Sequence, residues 1–193
     1  MRIIGGSAGG RLLKAPEGFG VRPTPDLVRQ AIFNSLGARV VGARVLDLFS
    51  GSGALGLECL SRAAAGVVSV ERSRRVAALI RANLKRAGLS AENFELRVQD
   101  VFAALHQLVA EKRPFDLILA DPPFGEKNIG RRSTSLAQRL LDSPDVPRLL
   151  APEGLFVLGH TKRDTLSLPQ GWRETRLLKH GDSLVRFLRW DAS

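Results

Sequence analysis

The chain has 193 residues, enough for one sizeable core and too few for two ordinary domains. Hydrophobic residues make up 44% and charged residues 25%, which excludes disorder over the whole length. Against 19 Asp and Glu stand 29 Lys and Arg, a net charge of +10; such a surplus points to a polyanionic partner, although a generally basic proteome produces the same total. The single Cys59 excludes an internal disulfide and a multi-cysteine zinc site. Met1 to Gly10 lacks the apolar core of a secretion signal and no apolar run reaches membrane-spanning length, so the expected compartment is the cytoplasm.

In chain order, two short apolar runs flank the glycine cluster Gly5–Gly10 and predict a β-hairpin within residues 1–24. Thr24 is a good N-cap and Pro25 suits a first helical position, so a helix is expected over 25–36 with Leu27, Ala31 and Leu36 or Ile32 inward and Gly37 as its stop. Strands and helices then alternate. Strands are expected at 45–49, 67–70, 94–98, 116–120 and 155–160, and helices at 54–64, 73–87 and 101–112. A hairpin, 172–178 with 184–190, ends the chain, and residues 125–145, rich in charge and Ser, read as one long irregular loop. The alternation implies one α/β domain over 1–193: a mainly parallel, Rossmann-like sheet covered by helices on both faces, with 1–24 as an extension.

The motif Asp47-Leu-Phe49-Ser50-Gly51-Ser-Gly53-Ala-Leu-Gly56 leaves the first strand and opens a helix. Glycines there allow a tight turn and close approach by a ligand, and the helix start offers unpaired N–H groups. Glu71 ends the second strand, where a carboxylate can accept both ribose hydroxyls, with Arg72 beside it. These features alone describe nicotinamide enzymes equally well. Asp47 separates the two, because an acid inside the strand repels a pyrophosphate and attracts an ammonium or sulfonium; a carboxylate that merely caps the glycine turn is the plainer reading. Asp100 stands where it can reach an adenine amino group, with Val101 and Phe102 flanking the ring, and it also reads as an ordinary N-cap.

Asp121-Pro122-Pro123-Phe124 closes the fourth strand. An exocyclic amine on a nucleobase is nearly planar and a poor nucleophile. A carboxylate together with the Pro122 carbonyl can accept both of its N–H groups and line the nitrogen up with a donor methyl, while Phe124 offers a stacking face. The competing reading is a Pro-rich turn with a capping Asp and a core Phe.

Asp47 to Gly56, Glu71, Asp100 and Asp121 to Phe124 stand in the order and spacing of class I S-adenosylmethionine-dependent methyltransferases that methylate amino groups, and the sequence resembles that superfamily. Arg2-Ile-Ile-Gly-Gly6, Gly10-Arg11, Arg22-Pro-Thr24, Arg29 to Asn34 and Leu55 to Arg62 narrow the resemblance to bacterial 16S rRNA guanine-N2 methyltransferases of the small-subunit guanine-966 type. The chain departs from that pattern at Gln30, Cys59 and Ala63, none of them in the expected chemistry. The resemblance implies a seven-stranded sheet with its last strand antiparallel, and direct methyl transfer from S-adenosylmethionine without a metal. It implies that Asp47 and Gly51 hold the methionine portion, Glu71 the ribose, Asp100 the adenine and Asp121–Phe124 the target guanine of 16S rRNA in the small subunit.

Arg2, Arg11, Arg22 and Thr24 of the N-terminal segment and Lys127, Arg131 and Arg132 after the tetrapeptide are the expected RNA contacts; a solvated charged face is the alternative. The histidines, His106, His160 and His180, are too scattered for a metal site. The expected state is a monomer with no membrane contact. A DNA adenine-N6 or cytosine-N4 methyltransferase, a nicotinamide-dependent oxidoreductase and a non-catalytic RNA-binding module remain as competing functions.

Overall fold

Runs such as Val45-Leu-Asp-Leu48 and Phe115-Asp-Leu-Ile-Leu-Ala120 are apolar almost without alternation, the pattern of strands covered on both faces. In the computed structural model, which describes residues 1–15, 24–124, 127–128 and 131–191, they form the sheet centre. The elements are α1 (Asp26–Leu36), β1 (Arg44–Leu48), α2 (Ala54–Ser61), β2 (Gly66–Val70), α3 (Arg74–Ala87), β3 (Phe94–Arg97) and α4 (Val101–Ala110). They continue with β4 (Phe115–Ala120), α5 (Leu136–Asp142), α6 (Asp145–Leu149), β5 (Leu150–Thr161), β6 (Trp172–His180) and β7 (Ser183–Trp190). Their order in the single described sheet is β3-β2-β1-β4-β5-β7-β6, with β1 to β5 parallel and β7 antiparallel to both neighbours. The seven-stranded, mainly parallel sheet expected from the sequence is thus present.

The order reverses between β1 and β4, where open α/β sheets form a crevice beyond the strand ends. Leu48 pairs with Ala120, so the glycine turn and Asp121 leave adjacent strands at the same height. One apolar cluster packs α4, α5 and α6 on one face around Phe156 and Trp172, and another packs α1 and α2 on the other around Phe33 and Phe187. A smaller third cluster joins Ile3, Ala8 and Leu13 to Leu57, Leu84 and Ala87.

Several local expectations change. The N-terminal arms pair as an irregular antiparallel turn without full strands: Arg2 bridges Leu12, Ile3 N donates to Arg11 O, Gly10 N to Ile3 O and Leu13 N to Met1 O. Its tip is fastened to α2 as well: Ile4 and Gly5 donate their N–H groups to Glu58, and Ala8 donates to Ser61 Oγ. Gly6 has φ +79°, and a Cβ there would lie 1.9 Å from the Ser61 carbonyl oxygen, so this approach to α2 requires glycine. In α1 the inward residues are Val28, Ile32, Phe33 and Leu36, while Leu27 is exposed and Ala31 only partly covered. Thr24 does not cap α1, which begins after Pro25 without a side-chain cap.

The irregular stretch expected over 125–145 contains α5 and the start of α6. Ser135 caps α5 by accepting from Gln138 N, and Ala137, Leu140 and Leu141 are buried; with seven and five residues, these helices are too short to carry visible periodicity.

Candidate active site

The turn after β1 is conformationally demanding. Phe49, Gly51 and Gly53 have φ of 57°, 54° and 80°, and Ser50 Oγ donates to the Asp47 and Val70 carbonyl oxygens at 2.8 and 3.2 Å. Asp47 is fully buried. Its Oδ2 accepts from Gly56 N at 3.2 Å and Ser69 Oγ at 3.3 Å, while Oδ1 has no hydrogen-bond partner. Burial pushes this carboxyl up to about 7 against those hydrogen bonds. A buried, unsatisfied carboxylate oxygen beside a glycine turn is costly unless a cation or donor completes it, so the donor set fits a ligand carrying an ammonium and a sulfonium. Gly56 leaves the carboxylate its room: a Cβ there would stand 2.9 Å from Asp47 Oδ2.

Glu71 clamps the same turn. Its Oε2 accepts from Gly51 N at 3.1 Å and its Oε1 from Ser73 N at 2.8 Å, which ties the glycine loop to the start of α3. Asp100 caps α4, with Oδ1 accepting from Phe102 N and Ala103 N at 2.9 and 3.3 Å. Its capping role is therefore present, and Oδ2 takes no part in it. Val101 is buried behind it, and Arg72 is exposed. The structure thus joins Asp47, Ser50, Gly51, Gly53 and Glu71 around one turn, with Asp100 and Val101 at the end of β3 along the same sheet edge.

Asp121 follows β4 on the strand beside that turn. Thr24 Oγ1 donates a short hydrogen bond to its Oδ2, and a Cβ on Gly159 of β5 would come within 2.5 Å of its Oδ1. Burial raises the Asp121 carboxyl above the usual range, with the Thr24 hydrogen bond opposing. Pro122 is buried and Pro123 exposed, and Phe124 keeps 53% of its surface exposed. A cavity of about 590 Å³ opens here, lined by Thr24, Asp121, Phe124, His160, Arg163 and Asp182 among others.

The sequence reading missed Gly159 and the hydroxyl–carboxylate contact. A glycine inside an apolar strand was the available sign of close approach. It also left His160 without a role. The His160 ring meets the Thr161 and Asp164 carbonyl oxygens through Nδ1 at 3.0 and 3.1 Å, and its Nε2 accepts from Arg186 Nε at 3.0 Å. Nδ1 is therefore the protonated nitrogen, and burial and then Arg186 hold the ring below its ordinary pKa.

The expected RNA contacts separate into two kinds. Arg11 is exposed, and Lys127 and Arg131 line a second cavity of about 520 Å³ that shares Phe124 with the first. Arg2 and Arg132 are partly neutralised, by Asp26 at 3.7 Å and Asp142 at 2.7 Å. Arg22 lies outside the described residues. Arg29, one of the basic residues before the first strand, is fully buried and donates to the Arg2 carbonyl oxygen at 2.5 Å and Asp26 Oδ1 at 2.7 Å. It therefore anchors α1 to the N-terminal segment. Among the described residues no three His, Cys, Asp or Glu side chains form a metal-sized group, and no helix is long and apolar enough to cross a membrane.

A family model described as "Conserved hypothetical protein 95" matches residues 1–189. The chain is 44% identical over 193 residues to the "Ribosomal RNA small subunit methyltransferase D" of Escherichia coli K12, covering 100% of this chain and 91% of that protein. Among solved structures, the "hypothetical protein TTHA0928" of Thermus thermophilus superposes with a TM-score of 0.78 at 29% identity, covering 97% of this chain and 98% of that one. The T. thermophilus "16S rRNA N2 G1207 methyltransferase (RsmC) in complex with AdoMet and Guanosine" gives a TM-score of 0.66 at 26% identity, covering 91% of this chain and 45% of that one.

Proposed function

Because the chain belongs to the Conserved hypothetical protein 95 family, with an rRNA methyltransferase relative along its whole length, we propose that it methylates the 2-amino group of one guanine in 16S rRNA, using S-adenosylmethionine. The observation that carries this reading is the placement of Asp121: a carboxylate beside the Asp47–Glu71 turn on the neighbouring strand, at a cavity it shares with the exposed ring of Phe124.

Asp47 would hold the cofactor's ammonium with its unsatisfied oxygen, Phe49, Ser50, Gly51 and Gly53 would shape the turn around it, Glu71, which ties Gly51 to Ser73, would accept from the ribose, and Asp100, Val101 and Arg72 would flank the adenine. Bound there, S-adenosylmethionine supplies an electrophilic methyl group on a sulfonium.

The guanine stacks on Phe124, worth about 1–3 kcal/mol, and its amine donates to Asp121 and to the Pro122 carbonyl. Asp121 works as a carboxylate, whose two oxygens are both strong, charged acceptors, one for the amine and one for Thr24. These acceptors draw the nitrogen out of conjugation and aim its lone pair, so catalysis is orientation and charge placement. Asp121 or water then takes the released proton. A loop guanine is already unstacked or cheap to extrude.

Arg2, Arg11, Arg22, Lys127, Arg131 and Arg132 grip the phosphates around it. The substrate is 16S rRNA in the small subunit or an assembly intermediate, met by a monomer in the cytoplasm. Primer-extension mapping of rRNA, free and in small subunits, after incubation with enzyme and labelled cofactor tests the reading. Label on a single guanine supports it; absence of label from both, or label on adenine, rejects it.

A further inference from the structure

The cavity at Asp121 has a far wall that none of the expected RNA contacts occupies. It is built from the turn after β5 and the turn between β6 and β7, where Thr161 pairs with Ser183 and Lys162 N donates to the Asp182 carbonyl oxygen at 2.9 Å. Arg163, His180 and Asp182 line the cavity. Lys162, Arg163, Lys179 and His180 are all exposed, against the one exposed carboxylate of Asp182; Asp164 in the first turn is buried and accepts from Ser133.

Among the described residues Lys162, Arg163 and Lys179 enter no ion pair. The opposite end of the sheet differs: there Arg44 pairs with Asp116, Arg113 with Glu95, Arg148 with Asp145, Arg173 with Asp191 and Arg189 with Glu153; Arg39 and Lys112 are the exceptions. Arg163 at the cavity wall, with Lys162 and Lys179 next to the lining residues Arg163 and His180 and all three without acidic partners among the described residues, matches the repeated charge of a nucleic-acid backbone.

We propose that these two turns form a second RNA-binding surface, in which Lys162, Arg163 and Lys179 contact phosphates next to the target nucleotide, continuing the surface of Lys127 and Arg131, whose segment is tied to the first turn by the paired hydrogen bonds of Asn128 with Thr165. The inference rests on the rRNA methylation reading above. It extends the RNA track from Lys127 and Arg131 over the two turns, so the strand beside the base at Asp121 is held along one continuous cationic surface. An acidic protein segment is the other partner such a surface would suit, and the test separates the two.

The experiment compares Arg163→Glu/Lys179→Glu with Arg39→Glu, an exposed charge reversal at the opposite end that breaks no ion pair. Methyl transfer is measured on small subunits, and binding on protein-free 16S rRNA across a salt series. The double variant should raise KM for the subunit about tenfold and lower the slope of log affinity against log salt by about 1.4–1.8, with cofactor Kd within twofold. Arg39→Glu should match the wild type. Overturning results are a double variant that matches Arg39→Glu, or one that loses affinity for subunits while binding protein-free rRNA as the wild type does, since that would make the partner a ribosomal protein. If the wild type itself methylates neither substrate, the functional reading fails and not this inference alone.

Discussion

The two ends of the sheet handle charge in opposite ways. Where the parallel strands begin, arginines and carboxylates neutralise each other, as in Arg44 with Asp116 and Arg113 with Glu95 and Glu111. Where those strands end, Asp47 is buried with an oxygen unsatisfied, and Arg163, Lys127 and Arg131 have no acidic partner among the described residues. Charge paired within the chain serves folding only weakly, because exposed ion pairs contribute little. Charge left unpaired is available to ligands: a cationic cofactor inside and a polyanion outside. The net +10 of the chain is thus divided by function, and the total conceals the acids that line the turn.

Breaking the unpaired end should have the largest effects. Asp121→Asn keeps the shape but loses the charge that accepts from the amine, and should lower kcat about 100- to 1000-fold while cofactor Kd stays within threefold, measured by single-turnover kinetics and calorimetry. Asp47→Asn should weaken cofactor binding about 10- to 100-fold.

The same carboxyl predicts a pH dependence. Because burial raises it to about 7 in the free protein, protonation below that value removes the charge the ammonium needs. Cofactor affinity should then fall by up to tenfold per pH unit below about 7, and Asp47→Asn should abolish that dependence in a titration series.

Thr24→Val removes the hydroxyl that holds Asp121. It should lower kcat about tenfold and move the acid limb of the pH–rate profile upward, since the lost hydrogen bond was opposing the raised pKa; Thr24→Ser should restore most of the rate. At the paired end, Arg113→Ala should leave kcat/KM unchanged and alter stability by less than about 1 kcal/mol, followed by chemical denaturation.

Much of this was legible from spacing. Asp47, the glycine turn, Glu71, Asp100 and Asp121 each end or follow a strand, and a parallel sheet brings strand ends to one edge by construction. What escaped the sequence was set by contacts between distant segments. Thr24 has every local property of an N-cap, yet its hydroxyl is spent on a carboxylate 97 residues away. The glycines near the N-terminus suggest a free hairpin tip, but the N–H groups of Ile4, Gly5 and Ala8 there are bound to Glu58 and Ser61 of α2. Arg29 sits among cations that reach for solvent and is instead the largest fully buried side chain among the described residues. Gly159 matters only because Asp121 lies against it.

Nucleoside analysis of 16S rRNA treated with the wild type and with Asp121→Asn tests the central claim most directly. The account predicts N2-methylguanosine from the wild type and almost none from the variant at matched cofactor occupancy. Another methylated nucleoside from the wild type, or equal N2-methylguanosine from both, would contradict it.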